Sequence, residues 1–387
     1  MHILIIPSEI FMTNRIPLGG IFQWHQAKAL ANNGFQVGII SVGNFGPRML
    51  FQKDMYNEFE IVDNIPIFRS YKTSIIPNRY KNIINIINND YKMLKKILDI
   101  YIKKYGKPDI VHAHNFCYAG ILAQKIKEYY NIPYLVTEHS SAYARGLIND
   151  KLLPFIVDAA INASIVTAVS NSLIKLLQQK LHLENIKLLP NIVDNSFFKL
   201  EKNIKKYEKF TFINVANLDD NKNHELLLNA FAESFKNKDI NLHIVGNGPL
   251  LNKLKKLSIM LNIDKQVKFL GRLSQKDVKI EMSKSHVFVL SSNYETFGVV
   301  LIEAMACGIP VITTKCGGPE DIVNQNNGIL VEKNNKEELS KAMINIKNNI
   351  QKYDKDFIIN DIKDRFGEKA FISNVKKYYL DILGKER

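Results

Sequence analysis

The chain has 387 residues and a formal net charge of +14, with 52 Lys and Arg against 38 Asp and Glu. Its length exceeds what one ordinary hydrophobic core supports, and its composition, 46% hydrophobic and 23% charged, is that of a soluble globular protein, so two domains are expected. Its apolar runs fall short of the roughly 20 residues that span a membrane, which excludes a transmembrane helix, and its three cysteines lack metal-type spacing and fit a reducing cytoplasm.

The N-terminal residues predict a layout that can hold phosphate. An apolar strand over residues 2–6 follows Met1 directly, without the basic region or cleavage site of a signal peptide, so we interpret it as the first strand of the fold. A loop containing Gly19 and Gly20 leads to a helix over residues 21–33. Free amides at a helix N-terminus bind phosphate, although this glycine pair lacks the G-x-G-x-x-G spacing of a dinucleotide site. A second strand is predicted over residues 36–42.

The segment of residues 69–107 is strongly basic, with ten Lys and Arg against two Asp. Apolar residues recur within it near helical spacing, which predicts an amphipathic helix whose apolar stripe is flanked by lysines. Such a helix suits an anionic membrane surface, where each lysine contributes about 1 kcal/mol. An ordinary surface helix whose stripe completes the domain core fits the pattern equally well, and both interpretations stay open.

Strands and helices alternate through the rest of the first half, which predicts a doubly wound parallel sheet with ligands at the carboxyl ends of its strands. Polar residues fall at those ends: His112 and His114 on one strand, then Glu138 and His139 after the next. His112 and His114 point to one face and resemble metal ligands, but no third ligand accompanies them, so metal binding is the less favoured interpretation. The predicted elements are strand 109–113, helix 117–130, strand 133–137, helix 154–160, strand 165–169 and helix 171–180.

A lysine-rich, less apolar segment after residue 198 predicts a domain boundary near residue 195. We therefore expect a first domain over residues 1–194, a second over residues 195–365, and a C-terminal helix over residues 366–387 that packs back on the first domain. The alternation restarts in the second domain, so that two similar halves follow one another. Its predicted elements are strand 210–215, helix 225–235, strand 241–245, helix 250–261, strand 267–270, helix 275–283, strand 287–290, the helix of the stretch described next, and strand 311–313.

The most informative stretch runs from Glu295 to Pro310, where Glu295 and Glu303 are eight residues apart with Gly298 between them. A helix that begins near Gly298 places Glu295 in the preceding loop and Glu303 about one and a half turns inside, so both acids face one ligand. The free amides of the first turn would hold a phosphate while the carboxylates accept hydrogen bonds from hydroxyls, which is what a nucleotide sugar requires. The alternative is an ordinary buried helix in which Glu303 caps or pairs with a neighbour.

This stretch resembles the Glu-x7-Glu signature of the retaining glycosyltransferases of family 4, which have the two-domain GT-B fold. Three further segments resemble family motifs in the family's order and near its usual spacing, and with PNIVD the resemblance covers nearly the whole chain. VANLDDNKNHELLLNAF is similar to the strand, loop and helix that carry a phosphate-binding lysine, here Lys222. LHIVGNGPL resembles the Gly-x-Gly-Pro turn, here with Gly246 and Gly248, and VKFLGRLS resembles the strand before Gly271 and Arg272.

The sequence departs from the family at Asn217, where many members have an arginine that shares neutralisation of the diphosphate with the lysine. Asn217 can donate a hydrogen bond but carries no charge. Either Lys222 acts with another cation, for which Arg272 is our candidate, or phosphate binding is weaker. Amides at the glycine turn and at the helix after Glu295 also stabilise an anion, so the departure does not exclude activity.

The resemblance implies an α/β protein with two Rossmann-like doubly wound parallel-sheet domains facing a central cleft, the first binding the acceptor and the second the nucleotide sugar. It implies sugar transfer with retention from a nucleoside diphosphate sugar, with UDP the expected nucleotide, to a hydroxyl of a glycan or lipid-linked acceptor in bacterial envelope polysaccharide synthesis. It also implies that Glu303 holds the ribose hydroxyls, Glu295 the sugar hydroxyls, and that His139 contacts the sugar, with no metal or other cofactor. The predicted catalytic residues are Glu295, His139 and Lys222, and the donor-binding residues are Gly19, Gly20, Asn217, Lys222, Gly248, Arg272, Glu295, Phe297, Gly298, Val299 and Glu303.

Three other classes of function stay open from the sequence. Another GT-B enzyme, such as a sugar-nucleotide epimerase or a phosphorylase, would share the fold and the motifs. A non-catalytic nucleotide-binding scaffold is suggested by Asn217. Nucleic-acid binding is suggested by the charge of +14, but no recognised module supports it, and we expect no nucleic-acid partner. A cytoplasmic location is expected, with the basic segment allowing contact with the inner face of the cell membrane.

Overall fold

The parallel sheets predicted from the sequence are present in both halves of the chain. The structure is a computed structural model that describes residues 1–12, 19–45, 58–73, 82–199 and 204–384. Part of the predicted basic segment, residues 74–81, and the last three residues of the chain lie outside the described residues. The chain divides into two compact units, the first formed by residues 1–192 with 371–387 and the second by residues 193–370.

The first unit is built on a sheet of eight described strands in the order β3-β4-β2-β1-β5-β6-β7-β8, parallel except for the antiparallel β3–β4 pair. The central strands β1, β5 and β6 are buried along their whole length, as expected for parallel strands covered by helices on both faces. Its elements are β1 (His2–Ile6), α1 (Ile21–Asn32), β2 (Gln36–Phe45), β3 (Glu58–Val62), β4 (Ile65–Thr73), α2 (Ile83–Tyr105), β5 (Ile110–His114), α3 (Ile121–Tyr130), β6 (Tyr134–Glu138), α4 (Leu153–Ile161), β7 (Ile165–Ala168), α5 (Asn171–Leu181) and β8 (Lys187–Leu188).

The second unit has a fully parallel sheet of six described strands in the order β11-β10-β9-β12-β13-β14. This order places the ends of β9 and β12 side by side, although more than 70 residues separate the two strands in sequence. Its elements are α6 (Asn195–Phe198), β9 (Phe210–Val215), α7 (His224–Phe235), β10 (Ile240–Val245), α8 (Leu251–Met260), β11 (Val267–Gly271), α9 (Gln275–Lys284), β12 (Val287–Leu290), α10 (Val299–Ala306), β13 (Val311–Thr314), β14 (Gly328–Val331), α11 (Lys336–Asn348) and α12 (Lys355–Phe366).

The last helix, α13 (Glu368–Leu383), returns the chain to the first unit. Its apolar side chains Phe371, Val375 and Tyr379 are buried in the core that contains β1 and α1. The Tyr379 hydroxyl lies 2.8 Å from Nδ1 of His112 on β5, so the C-terminal helix also takes part in a buried hydrogen-bond network. No helix in the described ranges is long and apolar enough to cross a membrane.

Several local features differ from the sequence predictions, among them the short strands β8 and β14, which were not predicted. The β3–β4 hairpin was not predicted; its two-residue turn, Asp63 and Asn64, has positive φ at both positions and was the available signal. The helix predicted over residues 117–130 begins only at Ile121. The preceding residues are irregular because the Phe116 N–H is donated to the carboxylate of Glu138 and Tyr118 has φ of 62°.

Candidate active site

Lys222 and Glu295, predicted from separate motifs, are in direct contact in the second unit. Lys222 ends a short 3-10 turn, Asp220–Lys222, that follows β9 and is capped by the carboxylate of Asp219. Its Nζ lies 2.6 Å from Oε1 of Glu295, and the hydroxyl of Ser292 donates to the same oxygen at 2.6 Å. The side chains of Lys222 and Glu295 are 21% and 13% exposed, so the ion pair is largely shielded from water yet open on one side.

Side-chain and backbone hydrogen bonds join the loop after β9 to the loop after β12. The hydroxyl of Ser291 donates to the carbonyl oxygens of Lys222 and Asn223, at 2.9 and 3.0 Å. Asn293 N–H donates to the carbonyl of Asn221 at 2.7 Å, and Asn221 Nδ2 donates to the carbonyl of Tyr294 at 3.0 Å. The position of the lysine relative to the glutamate is therefore determined by the loop backbones, which preorganises the ion pair.

A third loop, after β13, holds the backbone of Glu295 from the other side. Glu295 N–H donates to the carbonyl of Cys316 at 2.9 Å, and Gly318 N–H donates to the carbonyl of Glu295 at 2.8 Å. A Cβ at Gly318 would lie 2.2 Å from Cα of Phe297, so only glycine allows this approach. This loop was not predicted from the sequence, where the pair Gly317 and Gly318 was the available signal.

The predicted helix after Glu295 is α10, and no side chain caps its N-terminus. Gly298 is its N-cap residue, with φ of 94°, and Val299 is its first residue. The Phe297 side chain is 1% exposed and packs edge-on against Phe366, with ring centres 5.5 Å apart, so it anchors the start of the helix. The N-terminus of α10, which carries a partial positive charge, thus follows shortly after Glu295 in the sequence.

Glu303 lies inside α10, as predicted, in a different environment from Glu295. Its side chain is half-buried, and burial together with the nearby carboxylate of Asp194 raises its pKa to about 8. Glu303 is therefore mainly protonated at neutral pH and can donate as well as accept a hydrogen bond. Asp194 is the last residue of the segment PNIVD, and its effect on Glu303 was not predicted from the sequence.

Of the other predicted donor-binding residues of this unit, Asn217, Gly248 and Arg272 lie near the ends of β9, β10 and β11. A Cβ at Gly248 would lie 2.4 Å from the carbonyl oxygen of Leu218, so the glycine turn is needed to pack against the loop of Asn217. Asn217 and Arg272 are exposed, and within the described ranges neither is joined to Lys222 by a hydrogen bond or an ion pair.

In the first unit, the Gly20 amide that was predicted to bind phosphate already has a partner. The Gly20 N–H points to Oε2 of Glu9 at 3.3 Å, and the carbonyl of Gly19 accepts from Met12 N–H at 2.8 Å. An anionic oxygen therefore lies at the N-terminus of α1, as predicted for phosphate, but it belongs to the exposed side chain of Glu9.

His139 belongs to a stack of three imidazoles formed with His114 and His112. Ring centres are 4.4 Å apart for His112 and His114, and 5.2 Å apart for His114 and His139. His114 Nδ1 lies 3.0 Å from His139 Nε2. Burial lowers the pKa of His139 to about 4 and that of His112 to about 3, so these rings are neutral at physiological pH.

The hydrogen bonds around His112 have one consistent direction. Thr167 Oγ1 donates to the carbonyl of Val136, so it accepts from Thr137 Oγ1 at 2.7 Å. Thr137 then accepts from His112 Nε2 at 2.7 Å, which leaves His112 Nδ1 to accept from the Tyr379 hydroxyl at 2.8 Å. His112 is thus a structural residue whose two nitrogens are both occupied.

Glu138 is a buried carboxylate that organises the loop carrying His139. It accepts from the backbone N–H groups of Ser140, Phe116 and His139, at 2.7, 2.9 and 3.0 Å. Burial raises its pKa to about 7, against the effect of these donors. The described residues contain no cluster of three or more His, Cys, Asp or Glu arranged to hold a metal ion.

The fold of the chain defines its structural class, which is that of the GT-B proteins. Sucrose-phosphate synthase from Thermosynechococcus elongatus superimposes with a TM-score of 0.77 at 18% identity, over 99% of this chain and 100% of that chain. Alr3699/HepE from Anabaena in complex with UDP superimposes with a TM-score of 0.73 at 18% identity, over 98% of this chain and 99% of that one. The predicted GT-B fold class is confirmed.

Comparison at the sequence level then gives the family. Residues 20–197 match the family described as Glycosyltransferase Family 4, and residues 195–364 match Glycosyl transferases group 1. A probable sucrose-phosphate synthase from Thermosipho melanesiensis is 27% identical over 98% of this chain and 94% of its own length. The chain belongs to the family 4, group 1 glycosyltransferases, which confirms the resemblance inferred from the paired glutamates.

Proposed function

We propose that the protein transfers a sugar from a UDP-linked donor to an acceptor hydroxyl, with retention of configuration and without a metal ion. The observation that carries the proposal is the Lys222–Glu295 ion pair, held 2.6 Å apart by three joined loops immediately before the uncapped N-terminus of α10. A cation and a helix N-terminus suit a diphosphate, and the neighbouring carboxylate suits sugar hydroxyls. UDP is proposed as the nucleotide because the similar Anabaena protein was solved in complex with UDP.

In the proposed reaction the bond between the anomeric carbon and the diphosphate oxygen breaks, and the electron pair leaves on the diphosphate. The acceptor oxygen forms the new bond to the anomeric carbon on the same face, and its proton passes to the leaving phosphate. Lys222 and the first amides of α10 stabilise the developing negative charge. Glu303 is proposed to bind the ribose hydroxyls, and Glu295 the hydroxyls of the transferred sugar. His139 is proposed to contact the transferred sugar.

Because Lys222 is already bound to Glu295, the donor diphosphate has to compete for the same ammonium group. We propose that diphosphate binding transfers Lys222 from Glu295 to the phosphate and frees the Glu295 oxygen for a sugar hydroxyl. Binding of the two halves of the donor is then coupled through one ion pair. A nucleoside monophosphate, which lacks the second phosphate, would leave the pair largely in place.

The proposal is tested by incubating the protein with a panel of nucleotide sugars and recording thermal stabilisation, then assaying transfer to glycan and lipid-linked acceptors of the bacterial envelope. A donor at a hundred times its Kd adds about 2.7 kcal/mol of stability. Glu295→Ala and Lys222→Ala are expected to lower kcat by roughly a hundredfold or more. NMR of the product should give the anomeric configuration of the donor, and chelation of metal ions should leave the rate unchanged.

The control is the exposed ion pair between Lys315 and Glu332, whose alanine variants should transfer sugar normally. Unchanged activity in both Glu295→Ala and Lys222→Ala would show that the site is assigned wrongly. An isomerised nucleotide sugar without acceptor would identify an epimerase, and a requirement for inorganic phosphate a phosphorylase.

A non-catalytic nucleotide-binding scaffold is the second candidate, because Asn217 is uncharged and exposed. It predicts stabilisation by UDP with no transfer to any acceptor. Asn217→Arg separates the two cases: it should increase donor affinity in an enzyme with a weakened diphosphate site, and it should leave transfer absent in a scaffold.

A further inference from the structure

A groove of about 930 Å³ lies in the first unit between α2 and the β3–β4 hairpin. Its volume is within the range of small-molecule binding sites. None of its lining residues belongs to the candidate active site. Its floor is apolar and is formed by Phe59, Phe68, Met93, Ile97 and Ile100.

The apolar surface of α2 is wider than the core of the unit requires. Met93, Leu94, Leu98 and Tyr101 are buried and account for the helix face that packs into the unit. Ile100 is 58% exposed and Phe59 on β3 is 44% exposed, yet both line the groove. Core packing therefore explains one part of the apolar stripe predicted from the sequence and leaves the groove side unexplained.

The wall of the groove is strongly cationic. Lys95 is paired with Asp99 at 3.2 Å, and Arg69 is paired with Glu58 and Glu60. The other four lysines of the lining have no carboxylate partner in the part of the chain that the structure describes: Lys72, Lys92, Lys96 and Lys104.

Two features of these lysines favour an anionic, partly apolar ligand. Lys92 and Lys96 are four residues apart on α2, a spacing at which like charges repel and destabilise a helix. The Lys104 ammonium lies 4.3 Å from the ring centre of Phe59, so a cation also lies directly beside the apolar floor. A neutral apolar ligand would not need the lysines, and a purely ionic ligand would not need the exposed aromatic and aliphatic floor.

We propose that this groove binds one molecule of an anionic, lipid-like amphiphile, with the hydrocarbon chain over Phe59, Ile97 and Ile100 and the phosphate-type head group beside Lys92 and Lys96. The concave shape favours a single inserted chain over contact with the flat surface of a bilayer. The proposal does not depend on the glycosyl-transfer reaction and assigns a separate binding site.

The test is calorimetric titration of the full-length protein with dodecyl phosphate below its critical micelle concentration. One molecule should bind per chain, and shortening the alkyl chain should weaken binding about fourfold per methylene group. Added salt should weaken it further, while inorganic phosphate and dodecyl maltoside should each bind at least tenfold more weakly. Equal binding of the maltoside, or binding that does not depend on chain length, would overturn the proposal.

Variants locate the site. Ile100→Asp and the double variant Lys92→Glu with Lys96→Glu should each weaken dodecyl phosphate binding tenfold or more. Ile259→Asp, at an isoleucine that is 61% exposed on α8, and the double variant Lys255→Glu with Lys256→Glu are matched controls that should bind normally. Circular dichroism checks that each variant is folded. Unchanged binding by folded groove variants, or binding to anionic vesicles with none to the monomeric amphiphile, would refute the groove site and favour a bilayer contact.

Discussion

At the scale of single residues, the candidate site depends on one ion pair whose partners are both mostly buried. Lys222 and Glu295 share a hydrogen bond of 2.6 Å, and Ser292 donates to the same carboxylate oxygen. Removing one partner of such a pair leaves the other charge without compensation, whereas removing both avoids this penalty. The pair therefore links stability to ligand binding at this position.

Lys222→Ala is expected to lower the free energy of unfolding by about 1–3 kcal/mol, because Glu295 then remains charged in a shielded position. The double variant Lys222→Ala with Glu295→Ala should be more stable than Lys222→Ala alone. Chemical denaturation of the four proteins of this cycle measures the coupling. Lys315→Ala, in an exposed pair, should change stability by less than about 0.5 kcal/mol. Strict additivity in the cycle would contradict the predicted coupling.

Glu303 should make stability depend on pH. Its pKa is about 8 in the folded protein, above the value of 4.5 for an unperturbed group, so the folded state holds an extra proton between these values. The contribution of this group to stability is present at low pH and is lost as pH rises from about 4.5 to 8. The amide of Glu303→Gln has no such proton to lose. The melting temperature of the variant minus that of the native protein should therefore increase as the pH rises from about 4.5 to 8. A difference that does not vary with pH would show that Glu303 titrates normally.

At the scale of secondary-structure elements, the sheet order explains most of the site. The loops after β9, β12 and β13 meet because these strands are neighbours in the second sheet, and the hydrogen bonds of Ser291 and Gly318 then join the loops. The turn after β10 packs against the loop after β9 in the same way, through Gly248. Glycines in this unit are thus needed for close approach between loops, in addition to any contact with phosphate.

Gly248→Ala is expected to displace the loop of Asn217, because the new Cβ would lie 2.4 Å from the carbonyl oxygen of Leu218. We expect destabilisation of about 1–3 kcal/mol and weaker donor binding. Gly43→Ala is the matched control, since its nearest non-neighbouring atom is at 3.8 Å, an ordinary contact. Thermal unfolding and UDP titration of both variants measure the effect. Equal behaviour of the two variants would show that the turn relaxes without consequence.

At the scale of the whole molecule, the C-terminal helix belongs to the unit that contains the N-terminus. Phe371, Val375 and Tyr379 complete the core of the first unit, and the Tyr379 hydroxyl completes the hydrogen-bond chain through His112. Residues 193–370 form the second unit between these two parts of the chain. The first unit is therefore complete only after the whole chain has been synthesised.

Tyr379→Phe is expected to cost about 1–3 kcal/mol, because His112 Nδ1 would remain buried without its donor. Removal of residues 371–387 deletes the core side chains of Phe371, Val375 and Tyr379 and should unfold the first unit. Loss of one large core side chain lowers the free energy of unfolding by several kcal/mol, and the three losses together exceed the stability of a typical domain. Hydrogen exchange should then show loss of protection in residues 1–192 and retention in residues 193–370. Tyr129→Phe, at a residue that is 67% exposed, is the control and should be neutral. Retained protection in the truncated first unit would contradict the prediction.

The sequence by itself determined the alternating elements, the two parallel sheets and the family, because these depend on local periodicity and on motifs within about twenty residues. Only the tertiary structure decided which residues meet: Lys222 and Glu295 are 73 positions apart, and His112 and Tyr379 are 267 apart. Such contacts follow from the order of strands in a sheet and from the return of the last helix, which local sequence does not encode. The elevated pKa of Glu303 likewise depends on burial and on Asp194, so an embedded glutamate could be identified from its motif but its protonation could not.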